Sequence, residues 1–155
     1  MGSVGRTDAA SRVIEAPAAR IYAAFTDPAA LAAWLPPTGM TGKFEHFDAT
    51  PGGGYRMRLT YDGAGDAAGK STADSDVVEA RFVELVPDVR LVQAVEFVSD
   101  DPAFAGTMTM TWSLEPVDGG TLVTIRADAV PPGISAEDHA AGMAASLENL
   151  ARFVE

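Results

Sequence analysis

A chain of 155 residues, nearly half of them hydrophobic, is sized for one domain around one core, and 22 acidic against 11 basic side chains give it a net charge of −11. That charge repels nucleic acid and anionic membrane surfaces, and with Lys43 and Lys70 as the only lysines no basic cluster offsets it. The absence of cysteine excludes disulfides and thiol chemistry. No apolar run approaches the ~20 residues of a membrane span and no charged-then-apolar leader is seen, so a cytoplasmic protein without membrane insertion is expected.

Residues 1–6 are expected to lie outside the fold, disordered or left over from expression, as Met1-Gly2-Ser3 suggests. The remainder reads as a single domain. Asp8 to Ile14 is a candidate strand ended by Pro17. APAARIYAAFTD then predicts a helix. Pro17 suits its first turn, where a missing N–H costs nothing, and Ile21, Ala24 and Phe25 make an apolar stripe. Asp27 can cap a second short helix, PAALAAWL, with Pro28 at its first position and Pro36-Pro37 beyond its end.

From here the period changes from helical to alternating. TGKFEHFD is a strand and TPGGG a turn, since consecutive glycines permit positive φ. In YRMRLTY, Tyr55, Met57, Leu59 and Tyr61 share one face, while Arg56, Arg58 and Thr60 share the other. DGAGDAAGKSTAD is expected to be a mobile loop. SDVVEARFVELV and VRLVQAVEFV are two strands joined at Pro87-Asp88, and SDDPAFAG is a second loop. TMTMTWSL places Met108, Met110, Trp112 and Leu114 on one face, and PVDGG turns the chain into a last strand, TLVTIRADA. Ser135 can cap a long final helix, with Asp138 at the third position in an acidic variant of the capping box. His139, Met143, Ser146, Leu147, Leu150 and Val154 lie along one side of that helix.

The layout is a strand, two short helices, six strands and one long helix. Segregated strands and helices predict an α+β fold with an antiparallel sheet, wet on its arginine and threonine face and covered on the other by the last helix.

With the elements in place, the chain resembles the Hsp90-ATPase-activator-homologue-like proteins of the START/Bet v 1-like superfamily. Pro17, Phe25, Thr26, Asp27, Pro28, Leu31 and Trp34 match the opening signature. Asp48, Pro51, Gly52 and Gly53 match the Pro-Gly-Gly turn, and Glu84, Pro87 and Leu91 the strand pair that follows. Gly142-Met143 falls where the family usually has Gly-Trp, and Leu35 where a second aromatic often follows Trp34. The resemblance implies a helix-grip fold: a curved seven-stranded sheet around the C-terminal helix, two short helices closing one end, and commonly a pocket between sheet and helix. It gives Glu84 a structural place, pairing locally. Fold alone does not choose a function.

The residue types sharpen that expectation. Methionine adapts to irregular shapes, whereas buried tyrosine and tryptophan want a partner for the O–H or N–H. An apolar wall with a few polar tips is the usual make-up of a small-molecule pocket. Trp34, Tyr55, Met57, Leu59, Tyr61, Met108, Met110, Trp112, His139, Met143 and Leu147 are therefore the expected lining for a small apolar ligand, with no cofactor. His139, one turn before Met143, is expected to face the same space, as a polar anchor or a general base, and the resemblance implies a cyclase- or hydrolase-like enzyme as the alternative that would use it. Any of Glu79, Glu84 and Glu96 that faced inward could do acid or base work, Glu84 being the more structural position by resemblance. His46 and His139, the only histidines, have no metal-ligand spacing, and PGGGYR lacks the lysine and helix of a phosphate loop, so no metal is expected. A chaperone-associated docking domain is a further alternative, and a homodimer is allowed for.

Overall fold

The computed structural model describes residues 6–36, 40–61, 75–97, 102 and 106–155. The two predicted loops fall largely outside these residues, as do the side chains of Tyr61 and Phe97. The seven strands are β1 (Arg6–Ile14), β2 (Met40–Phe47), β3 (Gly54–Tyr61), β4 (Ser75–Val86), β5 (Arg90–Phe97), β6 (Met108–Val117) and β7 (Gly120–Val130). The helices are α1 (Ala18–Thr26), α2 (Pro28–Trp34) and α3 (Ala136–Val154). All strands pair antiparallel, in the order β1-β7-β6-β5-β4-β3-β2. Strand β1 starts at Arg6, inside the stretch expected to lie outside the fold, because Arg6 pairs with Val130 across the sheet.

Local chemistry sets the element boundaries. Asp27 accepts from the Ala29 N–H at 2.9 Å and starts α2, with Pro28 directly behind it. Ser135 Oγ accepts from the Asp138 N–H at 3.0 Å and starts α3. Pro17 precedes α1 in an extended conformation and offers no side-chain cap. Asp88 takes a positive φ of 64° to close the β4–β5 turn, a conformation aspartate tolerates better than most residues. Across that turn Glu84 pairs with Arg90 at 2.6 Å, a local role like the one the resemblance implied. At Gly54 a Cβ would lie 2.1 Å from the Ala80 carbonyl, so only glycine allows β3 to enter its ladder with β4.

Register shifts interrupt β1 at Arg6/Asp8, β2 at Phe44/His46 and β4 at Phe82/Glu84. Such irregularities bend a sheet, and this one curves around α3. Met143, Leu147, Leu150, Ala151 and Val154 form the buried stripe of that helix. Its far end is tied down by Arg20, whose Nη1 donates to the Val154 carbonyl at 3.0 Å.

Candidate functional site on the concave face

Alternation along each strand decides what faces α3. Tyr55 and Met57 of β3, Ala80 and Phe82 of β4, Leu91, Gln93 and Val95 of β5, and Met108 and Trp112 of β6 are all buried on the concave side. The expected lining residues other than Tyr61, whose side chain lies outside the described residues, divide into groups with different surroundings.

Trp34 and Trp112 meet each other through Phe25 rather than an open space. The ring centroids are 5.0 Å apart for Phe25–Trp34, 4.8 Å for Phe25–Trp112 and 5.8 Å for Trp34–Trp112, all edge-on. Trp34 Nε1 donates to the Ala24 carbonyl at 3.0 Å, so its polar tip is satisfied by α1. This trio welds the two short helices to β6. Met57 leans over Gly42, where an added Cβ would meet its Cε at 2.7 Å. Leu59 pairs with Gly42 across the β2–β3 ladder and is half-buried. Met143 and Leu147 bring the α3 stripe down onto the sheet.

Tyr55 lies in a second aromatic group. Phe44, Phe47 and Phe82 surround it with centroids at 5.1, 5.8 and 5.9 Å. Its hydroxyl accepts from Gln93 Nε2 at 3.4 Å, and burial pushes its pKa up to about 12. Gln93 was missed in the sequence reading. Its signal was there, a polar residue at the inward position of Leu91-Gln93-Val95, where alternation calls for an apolar one.

His139 reaches the sheet at its β1 margin. Its Nδ1 lies 2.7 Å from Asp8 Oδ2, and both side chains are nearly nine-tenths buried. The carboxylate is also held by Arg6, through Nε at 2.9 Å and Nη2 at 2.9 Å, while the same Nη2 donates to the Ile134 carbonyl. The Arg6 hydrogen bonds hold the Asp8 carboxyl below its ordinary value, outweighing its burial, with His139 adding to the effect. His139 thus faces Asp8 rather than simply sharing the space over Met143. Nothing in the sequence announced Arg6 or Asp8 as its partners.

The ladder joins these polar ends. Asp8 is opposite Ala127, Ala127 opposite Met110, and Met110 opposite Gln93. Directly paired residues share a face, so one cross-strand row runs from Asp8–His139 to Gln93–Tyr55 with only Ala127 and Met110 between. Met108 lies beside it, paired with Val95.

A half-open depression of about 440 Å³ is lined mostly by outward-facing positions, His46, Asp48, Gly52–Gly54, Glu79, Arg81, Ala94, Glu96 and Thr107, together with Tyr55 and Ala80. Glu79 and Glu96 point outward there as a direct cross-strand pair. Arg56 spans Glu45 and Glu79, with contacts of 2.9 Å to each. Among the described residues no group of histidine and carboxylate side chains could hold a metal ion, and no helix is long and apolar enough to cross a membrane.

A bent seven-stranded sheet gripping a long C-terminal helix defines a helix-grip protein of the Bet v 1-like type. Within that class the chain belongs to the family described as activator of Hsp90 ATPase homolog 1-like protein, whose model matches residues 15–155. A crystal structure of a protein from Chromobacterium violaceum is similar, with 35% identity, 96% of each chain covered and a TM-score of 0.84. A protein from Rhodobacter sphaeroides matches at 25% identity over 99% of this chain and 91% of that one, with a TM-score of 0.72. One from Staphylococcus epidermidis, at 17% identity, 99% and 92% coverage and a TM-score of 0.75, shares the fold. No curated protein matches the chain.

Proposed function

We propose that this chain binds a small, largely apolar molecule on the concave face, beneath α3. Tyr55, Met108, Met110 and Met143 form the contact wall and His139 a polar edge. Trp34 and Trp112 close the end of the site, and Met57, Leu59 and Leu147 back the wall. The observation that carries this reading is Met110. Its neighbours along β6, Met108 and Trp112, are sealed to about 3% exposure, yet Met110 stays half-buried in the middle of the inward face. An inward side chain that its own helix does not cover, flanked by flexible thioethers, is surface a ligand can take over.

The test uses N-phenyl-1-naphthylamine, an uncharged apolar dye excited by energy transfer from Trp34 and Trp112. The expected result is saturable binding to the native chain and at least about tenfold weaker binding to Met110→Trp, which fills the uncovered spot. Binding unaffected by Met110→Trp counts against a concave-face site. The family's description favours a chaperone-activating role as the second reading. Saturable binding to purified Hsp90 that Met110→Trp leaves intact would support it.

A further inference from the structure

The Arg6–Asp8–His139 cluster does chemistry that an apolar wall does not require. Asp8 accepts from both Nε and Nη2 of Arg6 and is held ionised, so its carboxylate is acceptor-only. The hydrogen between Asp8 and His139 at 2.7 Å must therefore sit on Nδ1. In a neutral imidazole that leaves Nε2 as a bare acceptor, with the ring's orientation fixed from behind. No described residue bonds to Nε2, and Nε2 is not among the sealed, unpaired polar atoms of the described residues, so it is open to whatever lies beside it.

The row of paired residues places Asp8, and with it the imidazole bonded to it, at one end of the concave face. Asp8 and Gln93 are three strand spacings apart, roughly 14 Å along the sheet at about 4.8 Å per strand. The small Ala127 and the flexible Met110 occupy the interval. Resting on the concave-face binding proposed above, we infer that His139 Nε2 is the polar anchor of that site and selects an uncharged ligand that presents a hydroxyl donor. An ether or carbonyl would set lone pair against lone pair. A carboxylate would meet Asp8 one ring-width behind, in a chain already carrying −11. The chemical class is thus a neutral, mostly apolar molecule with a terminal O–H, a phenol or an alcohol.

Two probes of one shape separate the claims: 2-naphthol, which donates, and 2-methoxynaphthalene, which does not. Their affinities are measured by tryptophan quenching on the native chain and on His139→Phe in the same buffer. The ratio of the two affinities is expected to fall roughly tenfold in the variant, the worth of one hydrogen bond. An unchanged ratio with both probes still bound overturns the anchor and leaves the site standing. Binding of neither probe removes the site and the anchor together. A measurement on the native chain guards against misfolding of the variant: ¹⁵N spectra of the histidine rings should show one ring with a protonated Nδ1 and a bare Nε2 whose resonance moves when 2-naphthol is added. A protonated Nε2, or a resonance that ignores bound naphthol, overturns the inference.

Discussion

The pair Tyr55–Gln93 allows stability and function to be separated by a double-mutant cycle. Tyr55→Phe keeps the ring against Phe44, Phe47 and Phe82 and removes only the hydroxyl. The bond lost is 3.4 Å long, well beyond the usual length, so its removal should cost about 1 kcal/mol at most. Gln93→Met preserves length and removes the amide. It leaves the Tyr55 hydroxyl without its donor in surroundings dry enough to raise its pKa to about 12, a loss of roughly 1–3 kcal/mol. In Tyr55→Phe/Gln93→Met neither partner remains to be stranded, and apolar atoms fill both positions. The double variant should then match or exceed the native chain, with a coupling equal to the two single losses added, roughly 1–4 kcal/mol. Urea unfolding followed by tryptophan fluorescence reads all four corners. Losses in the double variant that equal the sum of the singles would refute the reasoning, since each group would then be bonded independently of the other.

Two further outcomes follow from the geometry. Asp8 has its pKa lowered in the folded chain from an ordinary 3.8, so it binds its proton less readily folded than unfolded; its contribution is present above that value and is lost as pH falls through the folded one. The stability advantage of the native chain over Asp8→Asn should therefore be full near about pH 6 and shrink below about pH 4, and an advantage independent of pH would contradict the pairing. Gly54→Ala should cost about 3 kcal/mol or more by forcing the β3–β4 ladder apart at the Ala80 carbonyl, whereas Glu84→Ala, which breaks an exposed pair, should change the urea midpoint by less than about 1 kcal/mol equivalent.

The fold was legible because its strands alternate cleanly. TMTMTWSL and YRMRLTY assign their own inward faces, and Asp27 and Ser135 announce the helices they cap. Those signals are local, and a sheet amplifies them, because register passes each strand's facing to its neighbour. The site was legible only as a wall. Alternation states that Met108, Met110 and Trp112 point inward, but not what they meet there. Trp34 and Trp112 are 78 positions apart and turned out to meet each other, which no periodicity encodes. The pairing of Asp8 with His139 spans 131 positions, and Arg6, which holds Asp8, lies two residues before the strand start read from the sequence.

The methionines and the polar ends are explained best together. Met143 replaces the tryptophan that the resemblance implied, and it sits buried on α3 one turn beyond His139. A tryptophan there would fill more volume with a rigid plate, whereas a thioether chain can take several shapes at little cost. Folding alone favours rigid, well-matched apolar residues in such a place. A face that stays adaptable in its middle and fixed in its polar ends is matched to an object with an apolar body and defined hydrogen-bonding points. If the cycle at Tyr55 and Gln93 yields a double variant as stable as the native chain but unable to bind N-phenyl-1-naphthylamine, the polar end is there for the ligand. If that variant binds as before, the pair belongs to the core.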